Sequence, residues 1–173
     1  MSGERRVASD EKEGTRRRGS PLATRHSPLL IEGYASLWGV ADLNGDVVQA
    51  GAFADSLART GADGVRMLNQ HDARAPVGVW DEIREDARGL FVRGRIEDWS
   101  AEARFAGALS RAGALDGLSI GYRILKHSVD DESGVWTLEK LDLFEVSVVT
   151  IGANENATIS SVLAWQMENQ ASD

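Results

Sequence analysis

The sequence contains no cysteine. Disulfide bonds, thiol chemistry and cysteine metal sites are therefore excluded, and the composition fits a cytosolic location. No run of 18 apolar residues occurs, which argues against a membrane span. Histidine is scarce, with three residues in 173, so any reaction that needs an imidazole has few candidates.

The charge of the chain is uneven. The net charge of −8 argues against nucleic acid as the main partner. Residues 1–28 hold seven Arg or Lys and four acidic residues, a net charge of +3, so the remaining 145 residues carry −11. Because residues 1–28 are polar and lack periodicity, we expect a disordered tail there. A single domain is expected over residues 29–165, followed by a short tail at 166–173.

Hydrophobic patterning predicts a β-rich chain with few helices. Helices are expected at 51–60 and 99–113, where Phe105, Ala106 and Leu109 share one face. A turn at Asn44-Gly45 and a hairpin around residues 87–89 are expected. The segment after residue 150 begins as a loop and is expected to end as a helix. Strands are predicted at 29–42, 65–68, 76–86, 89–98, 117–129 and 134–150, which gives an α+β fold.

The segment GLSIG at 117–121 matches the G-x-S-x-G motif of α/β-hydrolases, but its context does not fit. The following residues continue a strand instead of beginning a helix. The one histidine that follows is His127, and eight extended residues at about 3.3 Å each place it about 26 Å from Ser119. That separation rules out a hydrogen bond between Ser119 and His127.

Strand alternation places Ser119, Gly121 and Arg123 on one face of this segment. The face is small and polar, as a substrate cleft requires, and Arg123 is a candidate for oxyanion support. The alternatives remain open at this point. Ser119 can be an ordinary outward-facing strand serine, and Arg123 can form a surface salt bridge.

A nucleophilic serine needs a base, and elimination leaves His71. His26 lies in the expected tail, and His127 is too far along the strand of Ser119. An ordinary imidazole pKa of about 6.5 suits general-base catalysis near neutral pH. A surface or loop histidine without a catalytic role is the alternative.

A carboxylate is expected to orient the imidazole, and LDLFEVSVV at 141–149 offers one. Alternation places Glu145 on a largely apolar face, where an unpaired carboxylate is costly. His71 is a suitable partner, although an ion pair with Arg123 competes. Asp142 is the fallback acid, and Asp72 is interpreted as a loop-stabilising residue.

Several segments together resemble the prohead (capsid maturation) proteases of HK97-type tailed bacteriophages, which are related to the herpesvirus assembly proteases. Two departures from the usual family pattern, Ala50 and Gly152 where proline is frequent, lie in turns and predict local loop changes. The segments that carry the resemblance are GYASLWGVADLNGDVVQAGAF (33–53), MLNQHD (67–72), PVGVWDEIREDARGLFVRGRI (76–96), GLSIGYR (117–123) and LFEVSVVTIGAN (143–154).

The resemblance implies a small β-barrel of about six or seven strands with flanking helices. By the same resemblance, His71 and Ser119 match the catalytic histidine and serine, and Glu145 matches the acid. The implied activity is serine endopeptidase cleavage of the scaffold, the N-terminal segment of the major capsid protein, and the protease itself. The implied location is the assembling procapsid in the host bacterial cytoplasm, with self-association and without a cofactor, metal or membrane. Two alternatives are a catalytically silent capsid-assembly component and a small β-barrel binding module.

Overall fold

A computed structural model describes residues 27–164. The strands and helices in chain order are β1 Leu29–Leu37, β2 Val47–Val48, α1 Ala54–Thr60, β3 Arg66–Asn69, β4 Asp72–Glu85, β5 Gly89–Ile96, α2 Ala101–Arg111, β6 Gly117–Val129, β7 Trp136–Val149 and β8 Ile159–Ala164. Most of the predicted disordered tail (residues 1–28) and all of the predicted C-terminal tail (166–173) lie outside the described residues.

The eight described strands form one sheet around β7. The hydrogen-bonded order is β2-β7-β3-β4-β5-β1-β8, and β6 pairs with β7. β6 runs antiparallel to β7, whereas β2 and β3 run parallel to it. Because β6 occupies one edge of β7, β3 lies along the other edge. Consequently β7 separates the strand that carries Ser119 from the strand that leads to His71.

The expected barrel of six or seven strands is corrected by this topology. Eight strands form an open sheet, because β6 and β8 do not share a ladder. Among the described residues, Gly117 of β6 forms an isolated bridge with Thr158, the residue before β8. The sequence prediction counted too few strands for a physical reason: β2 has two residues, and β8 replaces the helix expected after residue 150.

The core lies between the sheet and the two helices. Phe53, just before α1, is 0% exposed, and its backbone N–H donates to the Glu85 carboxylate at 2.9 Å. α2 begins at Ser100, whose hydroxyl accepts from the N–H of Ala103 at 3.0 Å and so caps the helix. Within the described residues, neither helix is long and apolar enough to cross a membrane.

The buried face of α2 differs from the predicted one. Ala103, Ala106 and Gly107 are buried, whereas Phe105 is 62% exposed. The prediction that Phe105 shares a face with Ala106 and Leu109 is therefore wrong for Phe105, and small residues let α2 lie close to the sheet. The hairpin expected around residues 87–89 is confirmed by the antiparallel pairing of β4 with β5.

Candidate active site

His71 lies in a two-residue turn that connects β3 to β4. Asn69 pairs with Asp72, and both intervening residues have positive φ, 54° at Gln70 and 59° at His71. Positive φ at both central positions is typical of the hairpin turns whose twist matches the flanking strands. This conformation is uncommon for residues other than glycine, and two such residues in succession favour contacts outside the turn that hold it.

Those contacts come from β7 and the loop after it. The backbone N–H of Gln70 donates to the carbonyl of Val148 at 3.0 Å. The backbone N–H of His71 donates to the hydroxyl of Ser147 at 3.1 Å. The side chain of Gln70 also bonds Thr150, donating from Nε2 to Oγ1 at 3.3 Å. The turn is therefore held in place against the strand that carries Glu145.

The imidazole of His71 contacts the carboxylate of Glu145. Nδ1 of His71 lies 2.5 Å from Oε1 of Glu145. The other oxygen of the carboxylate, Oε2, accepts from the hydroxyl of Ser147 at 2.6 Å. A ring whose Nδ1–H donates to a carboxylate keeps its lone pair on Nε2 when neutral. The side chain of His71 is 44% exposed, and that of Glu145 is 12% exposed.

Ser119 lies across β7 from the turn. It is paired in register with Ser147, and Gly121 is paired with Glu145. Directly opposed residues of an antiparallel pair project to the same face, so the side chain of Ser119 shares the face of Ser147 and Glu145. Ser119 and His71 line one cavity of about 330 Å³, and Ser119 is 6% exposed.

Gly121 provides the space that the carboxylate occupies. A Cβ added at Gly121 would lie 2.2 Å from Oε1 of Glu145 and 2.8 Å from its Cδ. The sequence predicted a small and polar face that holds Ser119 and Gly121. The structure places the Glu145 carboxylate beside Gly121, so a side chain at position 121 would displace that carboxylate.

Arg123 is not positioned beside Ser119. Four extended residues at about 3.3 Å each place Arg123 about 13 Å along β6 from Ser119. A bulge on β7 between Leu143 and Glu145 brings Asp142 opposite Arg123. Its Nη2 donates to Oδ2 of Asp142 at 2.7 Å, and it is absent from the described lining of the cavity. The prediction that Arg123 supports the oxyanion is therefore corrected: Arg123 forms a salt bridge with Asp142. Arg123 is thus not the ion-pair partner of Glu145, which was the competing prediction.

Asp142, the fallback acid, belongs to a separate ionic cluster. Its buried carboxylate accepts from Arg123 and from Arg59 on α1. Burial by itself raises the pKa of Asp142, but the hydrogen bonds and positive charges of the two arginines outweigh burial and lower it. A carboxylate held by two guanidinium groups is ionised and unavailable to orient His71.

The remaining candidates lie away from the cavity or outside the described residues. The ring of His127 stacks on Trp136 with a centroid separation of 4.3 Å. His26 is not among the described residues. Asp72 accepts from the backbone N–H of Arg74 at 2.9 Å, and its pKa falls to about 2 because of hydrogen bonds from that residue. This contact fits the loop-stabilising role assigned to Asp72 from the sequence.

Two features of the site were missed by the sequence interpretation. Ser147 links His71 to Glu145; alternation placed it on the Glu145 face, and this was the available signal. The second is an acidic wall of the cavity formed by Asp42 and Asp46. Burial, together with the charge of Asp42, raises the pKa of Asp46, and burial together with both carboxylates raises the pKa of Tyr122.

A metal-dependent arrangement is not evident from the side chains that the structure describes. Among residues 27–164, no group of three or more His, Cys, Asp or Glu residues is placed to hold a metal ion.

Comparison with known proteins identifies the family of the chain. Residues 18–172 match the family described as caudovirus prohead serine protease. The chain belongs to this family. It is 34% identical over 137 residues to the prohead protease of Enterobacteria phage HK97, covering 77% of this chain and 60% of that protein. It is 32% identical over 138 residues to the prohead protease of Escherichia phage T5, covering 79% and 64%. The chain thus spans less than two thirds of the length of these curated relatives.

Solved structures agree with the prohead protease family at the level of the fold. The bacteriophage T4 capsid assembly protease has a TM-score of 0.58 at 15% identity, covering 70% of this chain and 82% of that protein. KSHV protease in complex with a hexapeptide phosphonate inhibitor has a TM-score of 0.51 at 15% identity, covering 76% and 64%. The family expected from the sequence segments is confirmed, and the fold is similar to that of herpesvirus proteases.

Proposed function

We propose that this member of the prohead protease family is a serine endopeptidase of capsid maturation, with Ser119 as nucleophile, His71 as general base and Glu145 as the orienting acid. The observation that carries the proposal is the 2.5 Å contact between Nδ1 of His71 and Oε1 of Glu145, at a cavity that Ser119 also lines. Family membership supports the same assignment, because the family is named for serine proteases.

The mechanism is acyl transfer. Glu145 accepts from Nδ1–H of His71, so Nε2 is the nitrogen that takes the proton of Ser119. The hydroxyl oxygen attacks a peptide carbonyl, and the protonated ring gives its proton to the leaving amine. Water then cleaves the acyl-enzyme with His71 again acting as base. Such a base typically contributes about 10²–10⁴ in rate.

Backbone N–H groups at the cavity stabilise the oxyanion in this proposal. Arg123 has no part in it, because its guanidinium is bound to Asp142 and it is not among the described residues that line the cavity. No metal or other cofactor takes part in the proposed reaction. Protonation of the leaving amine, nucleophilic attack and deacylation are all assigned to the three side chains.

The proposed substrates are the scaffold, the N-terminal segment of the major capsid protein, and the protease itself. Cleavage takes place inside the assembling procapsid in the host bacterial cytoplasm, and the protease self-associates there. The catalytic domain in this proposal covers residues 29–165, with tails at 1–28 and 166–173. The names of the HK97 and T5 relatives, both prohead proteases, support this assignment.

The test is processing by wild type and by Ser119→Ala. Each is co-expressed with the major capsid protein of the same genome, and intact masses of both proteins are measured. We expect truncated capsid protein and self-cleavage products with wild type and full-length masses with Ser119→Ala. Equal processing by the two chains would reject the protease and favour the silent assembly component.

A further inference from the structure

Two buried serines each donate to a carboxylate of β7 and accept a backbone N–H, but the carboxylates differ. The hydroxyl of Ser147 donates to Glu145 at 2.6 Å and accepts the backbone N–H of His71 at 3.1 Å. The hydroxyl of Ser56 donates to Asp142 at 3.4 Å and accepts the backbone N–H of Leu143 at 3.0 Å. Ser147 is 0% exposed and Ser56 is 1% exposed. Of the two, it is Ser147 that contacts the proposed base and its acid.

The contacts of Ser147 close a ring of three hydrogen bonds. The ring passes from Nδ1 of His71 to Oε1 of Glu145, from Oε2 of Glu145 to the hydroxyl of Ser147, and from that hydroxyl to the backbone N–H of His71. A hydroxyl has one hydrogen and two lone pairs, so it can donate to the carboxylate and accept the N–H together. Each bond therefore fixes the geometry of the other two.

The three hydrogen bonds are the main constraint on the position of the Glu145 carboxylate. Glu145 packs against Gly121, which has no side chain to hold it. The turn that presents His71 has positive φ at both central residues and depends on external contacts. The Gln70 side chain, which supplies another contact, is exposed, whereas the bond from Ser147 to Glu145 is buried.

We infer that Ser147 is a positioning residue for the proposed reaction. Its hydroxyl fixes the rotation of the Glu145 carboxylate and the location of the His71 backbone, so that Nδ1–H stays on Glu145 and Nε2 faces Ser119. Ser147 acts through these two residues and does not touch the substrate. The effect of Ser147 on the reaction rate rests on the proposed function. The effect of Ser147 on the His71 imidazole does not.

The kinetic test uses a fluorophosphonate, which needs no knowledge of the cleavage site. Attack forms a bond from Oγ of Ser119 to phosphorus and breaks the phosphorus–fluorine bond; fluoride leaves and His71 takes the proton. We expect Ser147→Ala to lower the second-order labelling rate about tenfold or more. The matched control, Ser56→Ala, is expected to label within about twofold of wild type. Equal rates for the two variants would overturn the inference.

A double-substitution cycle separates positioning from general destabilisation. Because Ser147 acts partly through Glu145, part of its effect disappears once the carboxylate is gone. In a Glu145→Gln background, Ser147→Ala is therefore expected to slow labelling by a clearly smaller factor than it does in the wild-type background. Full additivity of the two effects would overturn the inference. Should Ser147→Ala fail to fold, Ser147→Cys keeps nearly the same shape with a weaker donor and is expected to show the same slowing.

The tautomer of His71 gives a readout that does not require catalysis. Ring nitrogen shifts are measured by NMR at a pH where the imidazole is neutral and are assigned with His71→Gln. Wild type and Ser56→Ala are expected to hold the Nδ1-protonated tautomer, and Ser147→Ala to show a mixture of tautomers. Unchanged populations in Ser147→Ala would contradict the inference. If the fluorophosphonate never labels the wild-type protein, the proposed function is rejected. The NMR measurement of the His71 tautomer still decides the role of Ser147 in that case.

Discussion

Gly121 on β6 lies directly opposite Glu145 on β7, and the missing side chain of the glycine is the space that the carboxylate fills. This relationship explains how a carboxylate with a side chain only 12% exposed can reach the ring of His71. Even the single methyl group of an alanine at position 121 is therefore expected to disturb the site.

Gly121→Ala is expected to disable the site while the fold remains. The new Cβ would lie 2.2 Å from Oε1 of Glu145, so the carboxylate must leave the imidazole. Displacement by about 1 Å can cost about 10² in rate. Labelling by a fluorophosphonate measures the loss, and circular dichroism measures the fold.

Gly107→Ala is the matched control for this substitution. A Cβ at Gly107 meets its nearest neighbour, Ile96, at 3.5 Å, which is an ordinary contact. Alanine is favoured over glycine in a helix by about 1 kcal/mol, so this variant is expected to keep full activity and stability. Comparable activity in Gly121→Ala and Gly107→Ala would contradict the steric role of Gly121.

Arg123→Gln is expected to leave the labelling rate of Ser119 unchanged. Its guanidinium pairs with Asp142 outside the described lining of the cavity, and Arg59 still pairs with that carboxylate after the substitution. Because the side chain of Arg123 is 65% exposed, the loss of stability is expected to be no more than about 1 kcal/mol. A large fall in the labelling rate without a fall in stability would contradict this account and would support the earlier prediction that Arg123 stabilises the oxyanion.

Asp86→Asn is expected to destabilise the β4–β5 hairpin in a pH-dependent way. Asp86 accepts the backbone N–H of Arg88 at 2.8 Å and the hydroxyl of Tyr34 at 2.9 Å. These bonds, with Arg84, lower its pKa from 3.8 to about 2, and the backbone bond from Arg88 is the largest cause.

The sign of the pH effect follows from the lowered pKa. The ionised native state is favoured, so the stabilisation is complete above about pH 3.8 and is lost as the pH falls towards 2. Urea unfolding at a series of pH values should show the difference between wild type and Asp86→Asn shrink below about pH 4. A difference that is constant across this range would contradict the assignment.

Two phenylalanines test the observed burial with the same substitution. Phe53 is 0% exposed, and Phe53→Ala is expected to lower the free energy of unfolding by about 3–5 kcal/mol. Phe105 is 62% exposed, and Phe105→Ala is expected to change it by no more than about 0.5 kcal/mol. Denaturant unfolding measures both free energies. A large loss of stability in Phe105→Ala would contradict the observed exposure of Phe105.

Local patterns in the sequence predicted the parts of the site that follow simple alternation. Ser119 and Gly121 lie on one strand face, and Glu145 lies on a mostly buried strand, as the period of two requires. The identification of His71 by elimination was possible because the chain has three histidines. The contact of His71 with Glu145 then follows from the parallel pairing of β3 with β7, which no local pattern reveals.

Irregular features account for what the sequence could not predict. A bulge on β7 between Leu143 and Glu145 brings Asp142 opposite Arg123, and a bulge leaves no clear mark in the residue pattern. The positive φ of Gln70 and His71 occurs at residue types that rarely adopt it, so the turn was not recognised. β2 has two residues, too few for any periodicity. The role of Ser147 depends on contacts with residues from both sides of β7.

The most direct test of the central claim is the site at which a fluorophosphonate reacts. Wild type and His71→Ala are incubated with the probe, digested and analysed by mass spectrometry. The account predicts one adduct, on Ser119 in wild type, and its loss or a fall of at least about 10² in its rate in His71→Ala. Labelling of Ser119 at equal rates in both chains, or labelling of a different serine in wild type, would contradict it.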